Sequence, residues 1–230
     1  MRRFDEIDST NRYVLDEARA GAAEGLVVVA DHQTAGRGRL GRTWTAPAGS
    51  SLLVSVLLRP SLPAARLHLV TAAMALAAGD ACEGESGVRP ALKWPNDLII
   101  GDPRSGERKL AGVLAEAELP AVVVGLGLNL TWPGASGAGA LSDAAGRSID
   151  ASGLLDRLLV GLGALMADWD AVATRYQRDC VTVGRRVRVT LEEGEAFSGK
   201  AVDVDHNGYL RVATGGGVRV VSAADVVHLR

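Results

Sequence analysis

Four short segments carry residue types that can handle anionic groups. Gly36-Arg37-Gly38-Arg39-Leu40-Gly41-Arg42 places three arginines in seven residues, spaced by glycine. Glycine lets backbone N–H groups approach a ligand, and a guanidinium matches the paired oxygens of a carboxylate or phosphate. Lys93-Trp94-Pro95-Asn96-Asp97 supplies a cation, an aromatic wall, an amide and a carboxylate. Lys109-Leu110-Ala111-Gly112 adds a second ammonium, and Gly125-Leu126-Gly127-Leu128-Asn129 ends an apolar run with two glycines and an amide. From His32 to Gly79 there is no Asp or Glu, although Arg37, Arg39, Arg42, Arg59 and Arg66 fall there. Taken singly, each segment has a plainer reading: a solvated basic turn, Pro-Asn-Asp turn chemistry, or a β-bulge.

Two further glycine patterns are decoys. Gly36 to Gly41 fits GxGxxG after a strand, but Pro47 follows instead of a helix and no acid stands where a ribose would need one, so dinucleotide binding is rejected. Gly194 to Ala201 is one residue short of a phosphate loop and runs into an alternating strand, which leaves Lys200 an ordinary surface residue.

The elements that must position these segments are legible in outline. Capping types at Asp8-Ser9-Thr10-Asn11 open a helix through Ala20. Residues 26–32 and 51–60 read as buried strands, and 64–83 as an Ala-rich helix. Residues 92–100 and 109–119 read as two strands of a hairpin-like unit joined by the turn-rich 101–108. Residues 121–130 form another strand, 132–146 a Gly/Ala/Ser loop, and 154–172 one amphipathic helix. From about residue 180 the pattern changes to short alternating runs, 185–191, 197–205, 209–214 and 218–229, separated by EEGE, HNG and GGG turns, which suggests a small β-barrel. Two domains are expected, 1–180 and 181–230.

The chain has 230 residues, 27 acids against 25 bases, and 47% apolar but only 4% aromatic residues, so its core must be aliphatic. A net charge of −2, with no evident basic face in 181–230, counts against a nucleic-acid binder, and no helix-turn-helix fits ahead of the first helix. Cys82 and Cys180 make no disulfide or zinc pattern. With no apolar leader, and a longest apolar stretch (69–78) half the length of a bilayer span, the expected compartment is cytoplasmic. Of the 25 bases, only Lys93, Lys109 and Lys200 are lysine; a GC-rich genome explains the bias, and it makes each lysine worth examining.

In this order, DSTN (8–11), QTAGRGRLGRTW (33–44), KWPND (93–97), KLAGVLAE (109–116) and GLGLN (125–129) resemble the biotin–protein ligases, and the terminal DVVHLR resembles their C-terminal domain. The resemblance spans essentially the whole chain. It implies an α+β fold, a mixed β-sheet with helices like that of class II aminoacyl-tRNA synthetases, plus an SH3-like β-barrel. It also implies a ligase that makes biotinyl-5′-AMP from biotin and ATP with Mg²⁺, then acylates one lysine of a biotin carboxyl carrier domain of an acyl-CoA carboxylase. No DNA or membrane partner is implied, because the DNA-binding extension of the repressor-type relatives is not seen; the assembly is a monomer or homodimer. By resemblance Ser9, Thr10, Asn11 and Gln33 hold the polar head of biotin, while Gly36, Arg37, Gly38 and Arg39 form a closing loop. Trp44, Gly112, Gly125 and Gly127 wall the pocket. Lys109 meets the carboxylate and the phosphate; Arg37, Arg39, Lys93, Asn96 and Asn129 serve ATP, Asn129 by reaching the adenine. Asp97 faces Mg²⁺ or steers the incoming amine; Arg39, Lys109 and Asp97 are the catalytic candidates. The 132–146 loop matches the family's second, adenylate-side loop only by position, and its composition favours disorder without ligand. A lipoate or octanoate ligase on the same fold is the alternative.

Overall fold

A computed structural model of the chain describes residues 1–101, 106–134 and 137–229. Its main sheet has seven strands: β1 (Arg2–Ile7), β2 (Val27–Gln33), β3 (Ser51–Leu58), β4 (Ala91–Lys93), β5 (Asp97–Ile100), β6 (Arg108–Glu118) and β7 (Ala121–Asn129). Their spatial order is β1-β2-β3-β7-β6-β5-β4. Only the β1–β2 pair is parallel; the other five neighbours are antiparallel, so the sheet is mixed.

Period-two alternation sorts β3 and β7 between two faces. Leu52, Val54, Val56 and Leu58, with Val122, Val124, Leu126 and Leu128, turn toward the large core under α2 (His68–Ser86). Leu57 and Val123 turn the other way and pack under α1 (Thr10–Arg19) with Val14 and Leu15. Helix α1 covers only part of that second face. The remainder, over Gly125 and Gly127, is left open for a cleft.

Several sequence expectations change. β1 is a charged edge strand with no apolar alternation to betray it; Phe4 alone packs edge-on against Tyr13. Residues 92–100 are two strands, β4 and β5, turning at Trp94-Pro95-Asn96. Half of the expected 101–108 turn, residues 102–105, lies outside the described residues. The expected single helix over 154–172 is two, α4 (Ala151–Leu165) and α5 (Trp169–Asp179), because Asp168 turns extended and caps the Asp170 and Ala171 N–H groups. The loop after β7 holds a short helix, α3 (Leu141–Ala145), and Gly139 N–H donates to Lys109 O, which ties the loop to β6; Ala135 and Ser136 lie outside the described residues.

The C-terminal strands β8 (Arg186–Thr190), β9 (Ala196–Val204), β10 (Leu210–Thr214), β11 (Gly217–Val221) and β12 (Asp225–His228) form one antiparallel sheet, ordered β11-β10-β9-β8-β12. Consecutive strands β11 and β12 lie at opposite edges, joined by residues 222–224. Five flat strands would put those edges roughly 19 Å apart, whereas that link reaches only about 14 Å. The sheet must therefore curl toward a barrel-like form. Its outer face does carry exposed Arg186, Arg188 and Lys200, with Arg186 directly opposite Lys200, a small basic patch that composition hid.

This sheet is bolted to the main one. Val181 N–H donates to Leu92 O. Thr182 Oγ1 accepts the Trp94 N–H at 3.0 Å and meets His228 Nε2 at 3.0 Å, while His228 Nδ1 lies 2.9 Å from Glu107. Trp94 Nε1 donates to Gly208 O at 2.9 Å. His68 stacks on Trp94 with ring centroids 5.9 Å apart, and its buried Nε2 has no hydrogen-bond partner among the described residues. Burial, then the charge of Arg39, pulls the His68 pKa down to about 4, with Asp205 opposing. Because the folded value lies below the unfolded one, this histidine's contribution to stability is complete above about pH 6.5 and is lost as pH falls toward 4. Urea titrations at pH 7.5, 6 and 4.5 should show falling stability, and His68→Phe should lose part of that slope; an unaltered slope would clear His68.

Candidate functional site

The open part of the sheet face becomes a cleft whose empty space, open solvent at its mouth included, is about 930 Å³. Its floor is β7. A Cβ on Gly125 would overlap Asn11 Oδ1, and one on Gly127 would sit 2.6 Å from Trp44 Cε2. These glycines are on the cleft face by strand parity, and their missing side chains admit the Asn11 amide and the Trp44 indole.

One end of the cleft is neutral and polar. Ser9 caps α1, accepting from the Arg12 N–H, and also lines the cleft, so capping and an exposed polar edge coexist. Next to it the Thr10 N–H and hydroxyl both lie against Gln33 Oε1, at 2.7 and 3.0 Å.

The other end is cationic. Residues 36–44 fold back on themselves: Trp44 N–H donates to Gly36 O and Gly38 N–H to Arg42 O. Leu40, at the tip, sits at φ 56°, a left-handed position that strains a residue bearing a Cβ. Arg39 reaches inward, its Nη1 3.3 Å from both Asn96 Oδ1 and Ala224 O. Burial disfavours its charge, and Asp97, Glu192 and Asp225 counter that. Arg42 pairs with Asp225 at 2.8 Å and Arg37 with Glu116 at 3.4 Å.

Lys109 gets to the cleft through an irregularity. Ala111 and Val113 point to the core, so unbroken alternation would send Lys109 there too. The register slips between Leu98 and Ile99 of β5, leaving Leu110 unpaired on β6. Leu110 enters the core, and Lys109 turns to the cleft. A β-bulge re-aims a side chain in this way. The ammonium then lies 2.6 Å from Asp97 Oδ1, off the line of a well-directed hydrogen bond, and 5.8 Å from the Trp44 ring centroid. Among the described residues no cluster of three His, Cys, Asp or Glu could hold a metal. Asp97 alone cannot make a resident metal site, although one carboxylate suits a Mg²⁺ carried by a triphosphate.

The cleft thus gathers Ser9, Thr10, Asn11, Gln33, Arg37, Gly38, Arg39, Trp44, Lys93, Asn96, Asp97, Lys109, Gly112, Gly125 and Gly127. Gly36 is buried at the base of the loop and borders a second hollow on the loop's far side. Asn129 is not brought in: it is 3% exposed and its amide donates to Gly139 O at 3.2 Å. Three participants escaped sequence reasoning. Ser55 was detectable as a lone polar residue facing α1 from an apolar strand, and Glu116 as the end of the KLAGVLAE segment. Asp225 lines the cleft from the C-terminal sheet; it opens the DVVHLR segment, but nothing local to that segment aims it at the cleft.

The profile of the biotin/lipoate A/B protein ligase family matches residues 4–129, and that of the biotin protein ligase C-terminal domain matches residues 182–229. A biotin–[acetyl-CoA-carboxylase] ligase of Mycobacterium tuberculosis is 41% identical over 96% of this chain and 86% of its own length. A ligase of the same description from Paracoccus denitrificans is 34% identical over 95% and 96%. The chain belongs to the biotin/lipoate A/B protein ligase family. Within it the likeness runs to the biotin ligases, and the lipoate reading is not favoured. The biotin protein ligase of Aquifex aeolicus, solved with biotin and ATP, superposes with a TM-score of 0.84 at 25% identity, covering 100% of this chain and 98% of that one.

The glycine floor of this ligase can be tested by stability alone. Gly125→Ala should destabilise the fold by about 1–3 kcal/mol, as overpacking does. Gly163→Ala, on the exposed side of α4 with open space around it, should be neutral or stabilising. Equal effects in urea denaturation would refute the close-approach argument.

Proposed function

We propose that this chain joins biotin to ATP in the cleft, giving biotinyl-5′-AMP and pyrophosphate, and passes the biotinyl group to a lysine of a carboxylase carrier domain. The observation that carries the reading is the polarity of one cleft: a neutral hydrogen-bonding end at Thr10 and Gln33, and a cationic end at Lys109 and Arg39. Biotin has that polarity, with a ureido head at one end and a carboxylate at the other.

In the first step a carboxylate oxygen attacks the α-phosphorus, and the bond to the departing pyrophosphate breaks with its electron pair. Two anions must approach, so preorganised cations in a water-poor cleft are the main requirement. Lys109 meets the carboxylate and the α-phosphate as charge shifts between them; Arg37, Arg39 and Lys93 offset the phosphates. Once Lys109 turns to the ligand, Asp97 faces outward, toward the Mg²⁺ that accompanies ATP or the ammonium of the incoming lysine. In the second step the lysine nitrogen, having lost a proton, attacks the acyl carbon and AMP leaves. No enzyme nucleophile is required. The adenylate is a reactive mixed anhydride, and the arginine loop shields it from water. Asn129 serves adenine only if it releases Gly139 O. Residues 181–230 act as a separate domain that anchors this loop through Ala224 and Asp225.

Isotope exchange between pyrophosphate and ATP tests the reading. Biotin should support exchange, and lipoate or octanoate should not; exchange with lipoate alone would overturn the assignment. Lys109→Ala should lower biotin-dependent exchange by about 10²- to 10³-fold, the effect of removing one charge-stabilising donor, and near-normal exchange would remove Lys109 from the chemistry.

A further inference from the structure

Four side-chain oxygens line up beneath the polar end of the cleft. Gln33 Oε1 lies 3.0 Å from Thr10 Oγ1, Thr10 Oγ1 lies 2.7 Å from Ser55 Oγ, and Ser55 Oγ lies 2.6 Å from Asn11 Oδ1. Other partners fix both amides. Gln33 Oε1 accepts the Thr10 backbone N–H, and Asn11 Nδ2 donates to Leu114 O at 3.2 Å and Glu116 Oε2 at 2.8 Å. Three oxygen–oxygen contacts must therefore share the two hydroxyl protons of Thr10 and Ser55. One contact always lacks a proton. Thr10, Asn11 and Ser55 are 4%, 5% and 0% exposed, so bulk water does not relieve the shortage. At the far end, Glu116 Oε1 receives Arg37 Nη1, the first arginine of the loop.

We propose that Ser55, Asn11 and Glu116 form a positioning relay that couples occupation of the Thr10–Gln33 end of the cleft to the hold on Arg37, and so to the setting of the arginine loop. The proposal rests on the reading of the cleft as a biotin and ATP site. An N–H of a cyclic urea satisfies Gln33 Oε1 or Thr10 Oγ1 and supplies the missing donor. The Thr10 hydroxyl then turns to Ser55, and the Ser55 hydroxyl to Asn11 Oδ1. The Asn11 amide is thereby locked with its N–H groups on Leu114 O and Glu116, and the Glu116 carboxylate is held facing Arg37. The absent side chain of Gly125 serves the same relay, because the Asn11 amide lies across that position and a Cβ there would also come within 3.2 Å of Ser55 Oγ.

The test measures ATP affinity with and without biotin, in the full chain and in Ser55→Ala, Glu116→Gln and the double variant. Urea midpoints and biotin affinity are recorded alongside. Each single variant should weaken the biotin-dependent gain in ATP affinity by about three- to tenfold, the effect of losing one hydrogen bond. The double variant should be no worse than the more severe single, because both interrupt one chain. Unchanged coupling, or losses that multiply in the double variant, would overturn the relay. A purely structural role would shift the urea midpoint and leave the coupling intact. Absence of coupling in the unaltered protein would also defeat the relay, whereas biotin-dependent pyrophosphate exchange in that same protein would keep the functional reading standing.

Discussion

Cations assembled to receive two anions must sit together before the anions arrive, and like charges repel. The structure meets this constraint by giving four of the cleft's cations partners of its own. Lys109 rests on Asp97, Arg37 on Glu116 and Arg42 on Asp225, and Arg39 lies on the neutral oxygens of Asn96 and Ala224. These are partly exposed contacts of modest strength, so an incoming carboxylate or phosphate can take them over. The resting partners keep the cations near the place where negative charge will develop, which limits the reorganisation left for the reaction itself.

The partners come from distant parts of the chain, and this explains the architecture around the cleft. Asp97 lies on the β4–β5 hairpin, Glu116 near the end of β6, and Asp225 at the start of β12. The curled C-terminal sheet therefore completes the cleft instead of hanging from it. Its attachment through Thr182, His228 and Trp94 fixes the same hairpin that carries Asn96 and Asp97. Burial holds the His228 pKa down, with Glu107 opposing. A neutral ring suits the contact: Nδ1–H donates to Glu107, Nε2 accepts from Thr182, and the Thr182 hydroxyl oxygen accepts from Trp94.

Much of the fold was legible in the sequence where local rules decide it. Ser9 announces α1 because a capping side chain acts within its own turn, and β2, β3 and β7 are apolar runs bounded by turn residues. Asp168 splits α4 from α5 by the same capping chemistry, but there it is hidden inside an apolar periodicity. The cleft residues were found as segments, and the sheet brought nearly all of them together. What local rules could not give was orientation. Lys109 reaches the cleft only because a bulge at Leu110 reverses the strand's parity, and that is settled by pairing with β5. Asn129 ends a strand of the right parity, yet its amide is engaged by Gly139. Asp225, although it opens the DVVHLR segment, and Ala224 enter the cleft only through docking of the second sheet, which no local rule settles.

The central claim is that the cleft's cations exchange resting partners for the ligand. A crystal structure of the chain with a non-hydrolysable biotinyl-adenylate analogue tests it most directly. The account expects the Lys109 ammonium to leave Asp97 for the analogue's acyl–phosphate linkage, and Arg39 to give up Ala224 O for a phosphate oxygen. A bound analogue with Lys109 still on Asp97 and Arg39 still on Ala224 would contradict it.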